Sequence, residues 1–327
     1  MRDNSSATVL VRPVIPSASN MGVWWGLLGV AAFSFTVPFT RVAVGAFSPL
    51  FIGSGRAVVA AVLAAFALGL TRQRLPRGTQ WGRLAVVAGG VVVGFPLLTS
   101  FALTSAPASH GAVVIALLPA ATAAAAVLRG REHLPVAFWW VAAVGALAAI
   151  GFAFAQSGGF VQSGGFGQFH WADLLLLGAV VAAAIGYAEG GLLARELGAW
   201  QTVSWALVLA SPLMVPLTAL SIVQQPPSGT PVQWLAFAYL GLVSMFLGFF
   251  AWYRGLAIGP MAQVSQIQLI QPVLTISWAG LLLGETLTWM TIIGGLAVVL
   301  SAGIAVRLRL KPPASTQKPD SRNRIPK

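Results

Sequence analysis

Long apolar runs alternate with short polar breaks along nearly the whole chain. Ten runs reach the roughly 20 residues that a helix needs to cross a hydrocarbon layer. They cover residues 22–44, 49–71, 82–104, 107–129, 135–155, 171–194, 200–222, 232–257, 260–283 and 287–308. The breaks carry Pro, Gly or charge, as at Ser48-Pro49, Arg72–Gly82, Ala106-Pro107, Gln224–Pro231 and Gly259-Pro260. The pattern predicts an all-α integral membrane protein with ten transmembrane helices.

Two of the runs match each other. Laying Pro107–Leu134 onto Pro260–Leu287, a displacement of 153 positions without a gap, puts Pro107 on Pro260, Pro119 on Pro272, Thr122 on Thr275 and Glu132 on Glu285. Each stretch has a proline at its start, a proline near its middle and a glutamate just past its end. A repeat of this length implies a duplicated five-helix unit. Five is odd, so the second copy enters the membrane from the opposite face. The expected fold is therefore two inverted five-helix repeats. The chain divides into a tail at 1–20, a first repeat at 22–155, a linker at 156–170, a second repeat at 171–308 and a basic tail at 309–327.

Composition supports lipid as the main solvent. The chain of 327 residues is 57% hydrophobic and 8% charged, against about a quarter charged in soluble domains. The net charge of +12 raises the question of nucleic acid, but its placement answers otherwise. Basic residues gather in the tail from Arg307 to Lys327 and in alternate loops, at Arg72, Arg74, Arg77, Arg83, Arg129, Arg131, Arg195 and Arg254. The other loops have no Lys or Arg. That asymmetry predicts cytoplasmic N- and C-termini. Ten tryptophans, at 24, 25, 81, 139, 140, 171, 200, 234, 252 and 289, fall near predicted membrane–water boundaries, where indole rings anchor. With no cysteine, disulfides and thiolate metal sites are excluded. Residues 1–20 have no long apolar core and do not read as a cleavable signal.

Polar groups inside a bilayer are costly and tend to face protein or water-filled space. The ninth run holds Gln263, Ser265, Gln266, Gln268, Gln271 and Thr275. Gln268, Gln271 and Thr275 share one helical face. Pro272 has no N–H to give the Gln268 carbonyl, which is expected to stay free beside the amides. Such groups can hold a small polar solute, or they can bond neighbouring helices. Tyr187 and Ser100 are the expected neighbours of the glutamines. The fourth run is nearly bare, with His110, Thr122 and Pro119. Pro119 and Pro272 are candidate pivots. Arg41 and Arg56 form either an external gate or a pair snorkelling to lipid phosphates. Glu189 is a gate, a coupling site or a partner for Arg195 or Arg254. His110 reads as an interfacial residue. No carboxylate falls at a predicted midplane, which favours facilitated diffusion or exchange. Small residues in the fifth and tenth runs, Gly145, Ala149, Gly295 and Gly303, suit close packing or a dimer contact.

The paired motifs Gly130-Arg131-Glu132-His133-Leu134 and Gly284-Glu285-Thr286-Leu287, the basic loop at 72–83 and Arg56 early in the second run resemble the drug/metabolite transporter superfamily, and within it the EamA-type exporters. The Trp-rich first run and Gln-rich ninth are most similar to YddG-type amino-acid exporters. The resemblance implies a bacterial inner-membrane protein, monomer or weak homodimer, without cofactor. It implies export of small metabolites by alternating access, amino acids including aromatic and apolar ones first, with drug-like solutes or nucleotide sugars as alternatives. The rival class is a membrane-embedded lipid-modifying enzyme. Such an enzyme needs clustered His, Asp or Glu, whereas the three histidines, at 110, 133 and 170, are scattered.

Overall fold

The computed structural model describes residues 18–130, 171–258, 264 and 267–309, with short helical pieces between 136 and 148. Both tails, the 156–170 linker, Glu132, Gln263, Ser265, Gln266 and most of the expected fifth helix lie outside the described residues. Secondary structure among the described residues is helical throughout. In chain order the helices are α1 Ala18–Ser34, α2 Thr36–Ala43, α3 Pro49–Leu70, α4 Thr79–Val87, α5 Phe95–Ala102, α6 Ala108–Ile115, α7 Leu118–Gly130, α8 Trp171–Leu197, α9 Ala199–Gln224, α10 Pro231–Tyr239, α11 Gly248–Ile258, α12 Ile270–Leu283 and α13 Trp289–Arg309. Seven spans among these residues are long and apolar enough to cross a membrane, and Ile270–Leu283 and Thr291–Ser301 are shorter apolar stretches. The ten expected helices are thus seen only in part. The first part of the ninth and most of the fifth lie outside the described residues.

Local chemistry sets the helix starts. Ser48 accepts a bond from Phe51 N at 3.1 Å, with Pro49 at the first helical position, where a missing N–H costs nothing. Thr230 and Gln233 form a capping box at the start of α10.

Five spans are interrupted near mid-depth. Phe35 separates α1 from α2, Ala116 and Leu117 separate α6 from α7, and Gln268 and Leu269 precede α12. Two further spans carry π-helical stretches, Ala88–Gly94 between α4 and α5 and Leu240–Leu247 between α10 and α11. The displacement of 153 carries Ala88 to Gly241 and Gly94 to Leu247, so the two π stretches coincide within a residue. The breaks beside Pro119 and Pro272 coincide equally closely. The duplication is therefore visible in backbone irregularities as well as in residue matches.

The interrupted spans cross their neighbours at glycines. A Cβ on Gly90 would lie 2.3 Å from the Ala182 carbonyl of α8, and one on Gly29 would lie 3.0 Å from Trp252 N of α11. Gly255 would meet Gly26 N at 2.7 Å. Backbones approach closely there because no side chain intervenes. Gly145 packs on Ser301 and Gly295 on Ile276, so these small residues of the fifth and tenth runs serve contacts within the chain. Six of the twelve tryptophans are exposed, Trp171 and Trp289 among them. Trp252 departs from the expectation. It is fully buried against Phe33 and Tyr187, because α11 turns that face into the bundle.

Gly90→Ala should force α8 away and lower the melting temperature of the detergent-solubilised protein by several degrees, since overpacking costs about 1–3 kcal/mol. Gly89, with nothing within 4 Å of its virtual Cβ, should accept Ala without loss. Equal melting of the two variants would contradict the crossing.

Candidate functional site

Residues in or beside all five interruptions line two adjoining cavities. The larger encloses about 430 Å³ of non-atom space including its mouth, and is lined by Phe33, Thr36, Arg56, Tyr187, Ser244 and Gln271 among others. The smaller, about 260 Å³, is lined by Ile115, Pro119, Gln268, Gln271, Pro272 and Thr275 among others. Val37 and Gln271 belong to both walls. The cavities are narrow.

Several of the expected residues meet here. Gln268, Gln271 and Thr275 share the smaller cavity, and Tyr187 stands on the wall of the larger. Among the described residues, eight buried side-chain polar atoms lack a hydrogen-bond partner, and four of them are in this wall: Arg56 Nε, both amide atoms of Gln268, and Gln271 Oε1. Buried polar groups are normally paired, so these unpaired ones stand out. The Gln268 carbonyl is not among them. The turn tightens ahead of Pro272, and Gln271 N donates to it at 3.1 Å. Thr275 donates to the Ser34 carbonyl at 2.9 Å.

Other expectations fall elsewhere. Ser100 is buried but lines neither cavity, because its hydroxyl donates to Pro96 O at 2.7 Å within its own helix. Thr122 is outside both walls, with its hydroxyl buried and unpartnered. Arg41 donates to the Leu103 and Thr104 carbonyls at 2.7 and 3.1 Å, bridging the last turn of α5. Arg56 neither snorkels nor meets a carboxylate. It is 1% exposed and donates to Thr99 Oγ1 at 3.3 Å. Sequence reasoning missed its place on the cavity wall. The signal was there: Arg56 lies seven residues, about 10 Å of helix, inside the start of its span.

Ion pairs and hydrogen bonds join helices at both ends of the bundle. At the arginine-rich end, Glu189 of α8 bonds Arg83 of α4 and, at 2.5 Å, Arg129 of α7. Arg83 also reaches Glu196 at 2.5 Å. These partners replace the expected Arg195 and Arg254; Arg254 instead lies over the Trp25 ring at 5.3 Å. At the opposite end, Gly284 adopts φ +64, a conformation glycine reaches freely. The turn lets Glu285 cross to α6, where its two oxygens accept from Ala108 N and Ser109 N at 2.8 and 2.9 Å. A carboxylate there meets N–H groups that the helix start leaves unpaired, at the positive end of its dipole. Nearby, buried His110 bonds Asp173 at 2.6 Å. His110 is thus buried and paired within the bundle, in the first turn of α6.

The sequence profile of the EamA-like transporter family matches the chain twice, over residues 20–154 and 170–307. An uncharacterized transporter from Bacillus subtilis (strain 168), YdeK, is 44% identical over 286 residues, which are 86% of this chain and 96% of that protein. A solved crystal structure at 20% identity is similar in fold, with a TM-score of 0.61 over 89% of this chain and 98% of the other.

Glu189→Gln should lower the melting temperature more than Glu196→Gln. Glu189 is 2% exposed and holds two arginines, whereas Glu196 is 46% exposed and in a solvated pair worth little. Thermal melting of both variants checks this, and the reverse order would show that the clasp does not hold the end together.

Proposed function

Since the chain belongs to the EamA-like transporter family, we propose that it exports small metabolites, amino acids including aromatic and apolar ones first, by alternating access around the two joined cavities. It is a membrane transporter, and the family points away from enzyme chemistry. The observation that carries the reading is the set of unpaired amide atoms on Gln268 and Gln271 at the wall of a narrow central space. Amides offer donors to a carboxylate and acceptors to an ammonium without fixing a net charge. The aromatic wall of Phe33, Tyr187 and Phe249 supplies apolar surface for a side chain. The small cavity suits a solute of amino-acid size better than a nucleotide sugar.

The closures at the two ends support alternation. The Glu189 clasp joins α4, α7 and α8 at one end, and the Glu285 bond joins the end of α12 to the start of α6 at the other. Opening one end while the other stays shut requires the spans to bend between them. The breaks beside Pro119 and Pro272 provide bending points. On this reading the arginine-rich end and both tails are cytoplasmic in a bacterial inner membrane.

Counterflow of labelled amino acids in proteoliposomes tests the substrate class. Gln271→Leu and Gln268→Leu should each slow every transported amino acid by a similar factor, about tenfold for a lost bond to a charged group. Parent rates in correctly inserted variants would move the site away from these glutamines.

The orientation has its own test. Cysteine placed at Ser228, in the loop at the arginine-poor end, should react with an impermeant thiol reagent in intact cells. Cysteine at Thr79 should react only after the cells are opened. The opposite pattern would reverse the assignment.

A further inference from the structure

Arg56 stands in the wall of the larger cavity, almost completely buried, with one long bond to Thr99 and an unpartnered Nε. A buried cation needs a compensating charge, because taking an unpaired ion out of water is costly. The chain has seven acidic residues. Asp3, Asp320 and Glu132 lie outside the described residues. The other four are committed elsewhere: Asp173 to His110, Glu189 to Arg83 and Arg129, Glu196 to Arg83, and Glu285 to the start of α6. The cavity lining contains no acidic side chain. The remaining polar wall, Thr36, Tyr187, Ser244 and Gln271, is uncharged, and Thr36 and Ser244 bond each other at 2.7 Å.

We infer that Arg56 anchors a carboxylate on the transported solute, and that the cavity prefers monoanionic carboxylates to zwitterions, amides and amines. This rests on the reading of the cavity as the substrate site, and not on the amino-acid assignment. The guanidinium is a fork of N–H donors matched to a carboxylate. One bound carboxylate brings the site to neutrality. A zwitterion neutralises Arg56 but adds an ammonium, which finds only amide oxygens and ring faces, so the site returns to a net charge of +1. An amine without a carboxylate adds like charge to an uncompensated cation. A dianionic phosphate monoester overshoots in the other direction. The carboxylate is therefore the obligatory group, and the ammonium of an amino acid is tolerated.

The purified full chain in detergent, titrated calorimetrically with 3-phenylpropionate, lactate, phenylalanine, phenylalaninamide and 2-phenylethylamine, tests the inference. 3-Phenylpropionate should bind about tenfold more tightly than phenylalanine, and the amide and amine at least tenfold more weakly still. Arg56→Gln should lose the discrimination between acid and amide, and Arg56→Lys should keep it with weaker binding. Amide or amine binding as tight as the acid overturns the inference while leaving the cavity as the site. So does a panel in which neither carboxylate binds, or an Arg56→Gln protein that still prefers the acid. If Arg56→Gln does not fold, the parent protein's ranking decides alone. Binding of the two carboxylates with none of phenylalanine upholds Arg56 as the anchor and removes the amino-acid assignment.

Discussion

Every backbone N–H and C=O inside hydrocarbon must find a partner within the protein, since an unpaired one costs several kcal/mol. This chain interrupts five of its spans and so creates freed groups at mid-depth. At one break side chains from other helices take them up, and at others the backbone tightens to do so, as where Gln271 N donates to the Gln268 carbonyl. Around the break at Phe35, Thr275 bonds the Ser34 carbonyl, Trp278 bonds the Ser34 hydroxyl at 3.0 Å, and Tyr239 bonds the Ala32 carbonyl at 2.9 Å. The Phe35 ring stacks on Trp278 at 4.6 Å. Residues beside this break, Phe33, Thr36 and Val37, stand in the cavity wall.

Charge is sparse in this sequence, and its distribution follows the same logic. Among the described residues the acidic side chains sit at the two ends, each bonded to a partner. Glu189 has two arginines, Asp173 has His110, and Glu285 has a helix start. The Gly284-Glu285 pair gains a physical meaning from this. The glycine supplies a left-handed turn, and the glutamate uses that turn to cap a helix 177 positions away in sequence. Arg56 is the exception to compensation within the described chain, and it is the one ionised side chain on the cavity wall.

The two copies share their irregularities without sharing their chemistry. The π stretches and the proline-linked breaks recur at the same displacement. The polar wall does not. The ninth span brings Gln268, Gln271 and Thr275 to the cavity, while its counterpart contributes Ala112, Ile115, Leu118 and Pro119. In the smaller cavity the ninth span supplies the hydrogen-bonding groups and the fourth supplies an apolar face. A solute with one polar end and one apolar end fits such a division.

Much of this was legible without coordinates. Run length and polarity placed most span boundaries within a few residues, because crossing hydrocarbon imposes both on the sequence. The displacement of 153 was readable from prolines and glutamates, since those residues fix backbone geometry and survive as landmarks. The face holding Gln268, Gln271 and Thr275 follows from helical periodicity alone. Partnerships between distant residues were not legible. Ser100 and Gln271 are both polar residues within apolar runs, yet the first bonds its own helix and the second leaves an oxygen unpaired at the cavity. Nothing in local sequence separates them. Glu189 could meet any of several arginines until the fold brought α4 and α7 against α8. Arg56 read equally well as a gate or a snorkelling side chain. Which way it points is set by helix packing, and packing of lipid-surrounded helices is decided by close contacts at sites such as Gly29 and Gly90, where the partner surface matters as much as the residue itself.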